Sequence, residues 1–163
     1  MTTVAEVYVA FVGGGQFDEE LTVAARTIGR AVGEAGAILV CGGLGELLGA
    51  AMRGASEGGG TTVALLPGHD RSGLVFEPTV SVPTGLGEAR NVLIVRSCHA
   101  MVAVGGGFGT LSEMALAARS QVPIVGYRTW TLQPPQLDGF EDPVIPAATP
   151  EDAAELAIAL ARS

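Results

Sequence analysis

"AMVAVGGGFGTLSE", residues 100–113, runs from small apolar residues through a glycine cluster into a stretch of helical spacing. A short continuous apolar run bounded by turn residues reads as a strand buried on both faces. Glycines directly behind it serve either a turn that needs positive φ or a backbone that another group approaches closely. Strand, glycine loop and helix in that order form one βα unit, and working outward from it the same order recurs along the chain.

The other strand candidates are "EVYVAFV" (6–12), "AILVC" (37–41), "TTVALL" (61–66), "TVSV" (79–82), "PIVGY" (123–127) and a short "PVIP" (143–146). Between the first two, Leu21, Ala24, Ala25, Ile28 and Val32 repeat at helical spacing. A second helix is expected over 46–58, closing on the glycine run Gly58 to Gly60. "TGLGEARNVLIVRSC" (84–98) reads as a helix after the fourth strand, and another helix starts near Gly109. The last begins at Thr149, an N-cap candidate followed by Pro150 at the first helical position and by Glu151 and Asp152 at the positive end of the dipole. This alternation implies a single-domain, doubly wound, Rossmann-like α/β three-layer sandwich over residues 1–163, with a mainly parallel sheet of about seven strands. Pro134 and Pro135 fall in a long loop before the last strand.

Composition removes whole classes of function. The 163 residues suit one domain, and 48% hydrophobic content is enough for a sizeable core. A net charge of −8 argues against a broad nucleic-acid or anionic-membrane footprint, which needs clustered cations. All nine basic residues are Arg. Without lysine there is no Walker P-loop, no pyridoxal phosphate chemistry and no Schiff-base aldolase. Cys41 and Cys98 are too few for a disulfide framework and lack metal-site spacing, so no metal and no cofactor is expected, in a cytoplasmic setting. The N-terminal "MTTVAEVYVAFVGGG" reads as a first strand and not as a signal peptide, and no segment approaches a membrane span.

In open parallel sheets, ligands sit outside the carboxyl ends of the strands. The glycines gather on that edge: Gly13 to Gly15 after strand one, Gly42, Gly43 and Gly45 after strand two, Gly68 after strand three, and Gly105 to Gly107 with Gly109 after strand five. Gly14 and Gly15 are expected to close one wall of a pocket, with Gly43 in its floor. The amides of Gly107 to Thr110 would point from a helix N-terminus into the crevice, offering unpaired donors and a positive dipole end to a phosphate. The dinucleotide fingerprint is absent, because Thr110 stands where its third Gly belongs and strand two ends in Cys41 and Gly42 with no ribose-binding acid.

Two charged residues stand near that edge. Thr110-Leu111-Ser112-Glu113 fits a capping box that merely starts the helix, or else Glu113 is a carboxylate within one turn of the phosphate site. Arg90 either snorkels to solvent or points into the crevice to hold an anion, and its place near a helix start favours the crevice.

"GGGFGTLSE" (105–113), Arg90 set 23 residues before Glu113, and "CGGLGELLGAAMRGASEGGGTTVALLPG" (41–68) together resemble the Lonely Guy family of nucleoside monophosphate phosphoribohydrolases and its relatives, among them molybdenum cofactor carrier proteins. The resemblance spans about residues 6–127. It implies a Rossmann homodimer in which Gly106, Gly107, Gly109 and Thr110 hold a 5′-phosphate while Arg90 and Glu113 form a catalytic pair that splits the bond between base and ribose. A carboxylate suits the oxocarbenium character of that reaction. Two positions depart from the family pattern: its Arg-Lys pair reads Arg90-Asn91, which leaves Asn91 as the ligand-binding candidate, and the leading Pro of its loop is Gly105. These departures look closer to the carrier-like branch. The expected partner is therefore a small phosphorylated nucleotide or pterin, either hydrolysed or carried without turnover.

His69 and Asp70 could contact a base or sugar from the loop after strand three, or lie in a solvated loop. His99 lies at the amino end of strand five, the wrong edge for chemistry. Tyr127 and Trp130 read as base-stacking candidates or as core and interface residues. "NVLIVRSC" (91–98) and "EMALAARS" (113–120) are apolar over more than one face, so a homodimer or higher homo-oligomer is expected.

Overall fold

Burial along the two central strands settles which helices cover which face of the sheet. The computed structural model describes residues 6–132 and 141–163, so Pro134 and Pro135 lie outside the described residues. Strand β1 (Tyr8–Gly14) sends Val9 and Phe11 into one apolar cluster and Ala10 and Val12 into another. Strand β5 (Ala100–Gly105) repeats the pattern, with Val102 and Val104 on the first side and Met101 and Ala103 on the second. Both strands are fully buried over their apolar residues, as parallel strands covered on two faces must be.

The sheet has seven strands in the order β4-β3-β2-β1-β5-β6-β7, completed by β2 (Ile38–Cys41), β3 (Thr62–Leu66), β4 (Val80–Pro83), β6 (Ile124–Tyr127) and β7 (Val144–Pro146). Every pairing is parallel, from β3–β4 at one edge to β6–β7 at the other. The order reverses at β1, which pairs with β2 on one side and β5 on the other. That reversal is the topological switch point where α/β sheets open a crevice.

Helices α1 (Glu19–Glu34), α2 (Glu46–Glu57) and α5 (Pro150–Ala161) pack on the Val9–Phe11 side. Helices α3 (Asn91–Arg96) and α4 (Phe108–Arg119) cover the other. Between α1 and α2 the backbones nearly touch. A side chain on Gly29 or Gly54 would run into the facing helix's carbonyls at Ala51 and Arg26. The α5 start is as expected: Thr149 is the N-cap, its hydroxyl accepting from the Asp152 amide at 3.1 Å.

Three boundaries differ from the sequence reading, each for a local reason. β1 runs on to Gly14 because Gly13 and Gly14 pair in register with Val104 and Gly105. A side chain at Gly13 would meet the Val104 carbonyl oxygen at 2.5 Å, so only glycine lets the two strands continue side by side. The expected helix over 84–98 is a 3-10 turn (Gly87–Arg90) leading into the six-residue α3. Helix α4 begins at Phe108 with Gly107 as its N-cap, which makes Thr110 the third helical residue and not a cap.

Candidate functional site

At the switch point the carboxyl ends of β1 and β5 open into a cavity of about 400 Å³. Gly14 and Gly15 form one wall, Gly107, Gly109 and Thr110 another, and Arg90, Asn91 and Glu113 a third. A second lobe of about 270 Å³ shares Gly13 to Gly15, Leu44 and Leu48 and reaches toward Phe17 and Asp18. Eight of the ten residues singled out from sequence thus meet at one cavity. Gly43 and Gly106 do not line it. Gly43 takes φ +81° in a turn packed against Ala64 and Leu66, and Gly106 takes φ +115°, where a side chain would strike Thr110 at 2.6 Å. Their part in the site is backbone shape.

The N-terminus of α4 is open. Gly107 gives it no side-chain cap, and the first bond to the cap carbonyl is Leu111 N–H to Gly107 C=O at 3.1 Å. Among the described residues, the amides of Phe108, Gly109 and Thr110 find no acceptor. Unpaired donors and the positive dipole end favour an anion there by about 0.3–1 kcal/mol at an exposed site and more where water is excluded. No ammonium group is needed.

Glu113 follows one turn later on the same helix. With Gly107 as cap, the capping-box reading fails, and the carboxylate is free to face the cavity. It is 8% exposed, and among the described residues no group donates a hydrogen bond to it. Burial pushes its pKa up to about 7, against a smaller opposing pull from the Arg90 charge. It therefore changes charge near neutrality, which an ordinary surface Glu does not.

Arg90 arrives from the far edge of the sheet. β4 and β5 are not neighbours in the sheet, three strands lying between them, so what joins Arg90 to Glu113 is packing of α3 against α4. Its Nη1 donates to the Leu65 carbonyl at 2.8 Å, while Nε is buried and has no hydrogen-bond partner among the described residues. Burial draws its pKa down, and the charge of Glu113 draws it back up. The guanidinium rests on Gly42, where any side chain would occupy its space. Glu113 and Arg90 make no direct ion pair, and both line the same cavity.

Asn91 is 9% exposed, and its Nδ2 donates to Ser112 Oγ at 3.1 Å, whose own hydroxyl donates to the Gly109 carbonyl at 2.7 Å. It therefore lines the cavity while tying α3 to the first turn of α4. His69 lies exposed beside Gly85, and Asp70 accepts from the Ser72 amide and hydroxyl, so this loop is solvated. His99 accepts from the Tyr8 amide at 3.0 Å, at the edge opposite the cavity. Cys41 and Cys98 are buried thiols pushed up to about 12 and about 11, which makes both poor nucleophiles.

Sequence reasoning missed several participants. Gly42 sits in the quoted glycine cluster, but only the fold shows Arg90 above it. Phe11, Leu44 and Leu48 supply apolar lining that reads as ordinary core in the sequence. Thr129 contacts the glycine loop from 24 residues away, a separation that leaves no local signal, and Trp130, read as a base-stacking, core or interface residue, donates to the Gly106 carbonyl instead.

Residues 6–154 match the SLOG cluster4 family. The chain belongs to that family. Within reach of this SLOG cluster4 chain, an uncharacterised protein of Archaeoglobus fulgidus is 39% identical over 127 residues, 78% of this chain and 80% of the relative. The molybdenum cofactor binding protein of Rippkaea orientalis superposes with a TM-score of 0.81 at 27% identity, over 94% of this chain and 96% of that one. A molybdenum cofactor carrier protein of Chlamydomonas reinhardtii gives 0.79 at 34% identity, over 96% and 98%. The SLOG cluster4 chain thus shares its whole fold with carrier proteins.

Proposed function

We propose that this chain binds a phosphorylated pterin of the molybdenum cofactor type and carries it without turnover. The observation that carries the reading is the uncapped α4 N-terminus opening into the cavity, with buried Glu113 and Arg90 beside it. Likeness over nearly full length to molybdenum cofactor binding and carrier proteins supports the pterin as cargo. The phosphate sits on the amides of Phe108 to Thr110. One helical turn of about 5.4 Å separates that point from Glu113, so the carboxylate meets the ring that bears the phosphate and not the distant heterocycle. Arg90 offsets the ligand's charge from the opposite wall.

Calorimetric titration with a phosphorylated pterin and with its dephosphorylated form tests this. Binding of the first alone, with the ligand recovered unchanged by chromatography, is the expected result; equal affinity for both overturns it.

A second reading is hydrolysis of a nucleoside 5′-monophosphate, and it is the near-neutral titration of Glu113 that favours it. A carboxyl with a pKa of about 7 can orient water and stabilise an oxocarbenium ion at the ribose carbon one turn from the phosphate. Free base accumulating from adenosine 5′-monophosphate, and lost in Glu113→Gln, would establish it over the carrier reading.

The proposal includes a homodimer. Val92 and Leu93 on α3 are 44% and 38% exposed, and Val80, Val82 and Leu86 nearby are exposed as well. Exposed apolar residues in this number fit a protein contact. No helix among the described residues is long and apolar enough to cross a membrane.

A further inference from the structure

We propose that Thr129 and Trp130 are positioning residues for the anion cradle, holding the Gly105 and Gly106 carbonyls away from the cavity so that the Gly107 amide turns toward it beside those of Phe108 to Thr110. The inference rests on the cradle being a phosphate site and adds the groups that shape it. Thr129 Oγ1 donates to the Gly105 carbonyl at 2.5 Å, and Trp130 Nε1 donates to the Gly106 carbonyl at 3.2 Å. Neither side chain lines the cavity.

In a trans peptide the carbonyl and the next amide point in opposite directions. Fixing the Gly106 oxygen on the indole therefore turns the Gly107 N–H to the other side of the loop, the side on which Gly107 lines the cavity. Fixing the Gly105 oxygen on Thr129 sets the preceding peptide plane, from which Gly106, itself outside the cavity lining, leads into Gly107. Gly105 at φ +55° and Gly106 at φ +115° are free to take either orientation, so the glycines alone do not choose. A flip of either plane would aim an oxygen at the anion.

The strap is itself held in place. Just past β6, Arg128 takes φ +48°, an uncommon conformation for a residue with a side chain, and this bend sends Thr129 and Trp130 back over the loop. Its guanidinium pairs with Glu20 at 2.8 Å in the first turn of α1. On the far side, the Phe108 ring lies 5.9 Å from the Trp130 ring, so the indole touches both the loop and the first residue of α4. Trp130 is the chain's one tryptophan, which makes its emission a direct reporter on the cradle.

The experiment titrates the full chain with inorganic phosphate and with adenosine 5′-monophosphate, following heat by calorimetry and Trp130 emission in parallel. The expected wild-type result is a saturable emission change with the calorimetric Kd. Thr129→Val should bind about tenfold more weakly, the size of one lost hydrogen bond, and Thr129→Ser should restore wild-type affinity. Trp130→Phe, which keeps the ring contact to Phe108 but not the N–H, should weaken binding similarly. Unchanged Kd in both Thr129→Val and Trp130→Phe, or calorimetric binding with no emission change, would overturn the positioning role while leaving the cradle intact. If the wild type binds neither probe, the phosphate reading fails and the proposal with it. Should Thr129→Val not fold, Trp130→Phe and the wild-type emission decide.

Discussion

Among the described residues nothing donates a hydrogen bond to buried Glu113, and that makes it a site where function and stability oppose each other. In the unfolded chain its carboxyl titrates near 4.5, and in the folded chain near 7. Between those values the folded protein keeps a proton that the unfolded chain has released. Stability therefore falls as pH rises from about 4.5 to about 7, and the loss is complete above that. At roughly 1.4 kcal/mol per unit, the ceiling is about 3 kcal/mol. Glu113→Gln should melt higher than wild type at pH 8 and alike at pH 4, and a melting series across that range checks it. Gly42 gives a second test at this scale. Its backbone is not in the left-handed region, so alanine is allowed by conformation and excluded only by the Arg90 guanidinium. Gly42→Ala should push Arg90 off the Leu65 carbonyl, with a stability loss of about 1–3 kcal/mol and weaker binding of adenosine 5′-monophosphate by calorimetry.

At the scale of elements, the two best-defined helix starts differ in a way that separates scaffold from site. α5 is capped by Thr149, and α4 opens on Gly107 with nothing in the cap position. Thr149→Ala should cost about 1 kcal/mol and leave ligand affinity alone. Gly107→Asp makes the reverse experiment. Gly107 already has the extended φ of −97° and ψ of −158° that an N-cap adopts, and a side chain there meets nothing within 4 Å. The new carboxylate should bond the free amides and add a few tenths of a kcal/mol of stability while abolishing phosphate binding. Melting and calorimetry on one sample read both effects. The seven strands and the caps at Thr149 were legible in sequence because apolar runs, glycine boundaries and the Thr-Pro-Glu-Asp start act locally. The start of α4 was not, since Thr110 and Glu113 match a capping box as well as they match interior positions. Sequence spacing cannot say which residue carries the first helical φ, ψ; here the glycine loop ends three residues earlier than a Thr110 cap requires.

For the whole molecule, the crevice follows from strand order, and strand order is set by pairings that sequence does not encode locally. Glycine clusters placed the crevice at the carboxyl edge of the sheet, and the strand order puts it at the β1–β5 reversal. Arg90 reaching that cavity from edge strand β4 depends on α3 packing on α4, and α3 is only six residues long. The same shortness leaves one face thinly covered. In parallel register, Val80 and Val82 of β4 stand beside Val63 and Leu65 of β3, and Leu65 packs with the α3–α4 cluster, so all four valine and leucine side chains belong to that face. Val80 and Val82 remain 45% and 41% exposed, as do Val92 and Leu93 of α3 at 44% and 38%. A twofold partner would bury this strip against its own copy, the self-complementary arrangement that C2 symmetry requires. Light scattering should therefore give twice the chain mass for the wild type and the chain mass for a Val92→Asp, Leu93→Asp double variant. Both positions are on the exposed side of α3, so the monomer should keep its fold by circular dichroism. Phosphate affinity in that monomer then decides whether the cavity is complete within one chain, as the walls supplied by Gly14, Gly15, Arg90 and Glu113 lead us to expect.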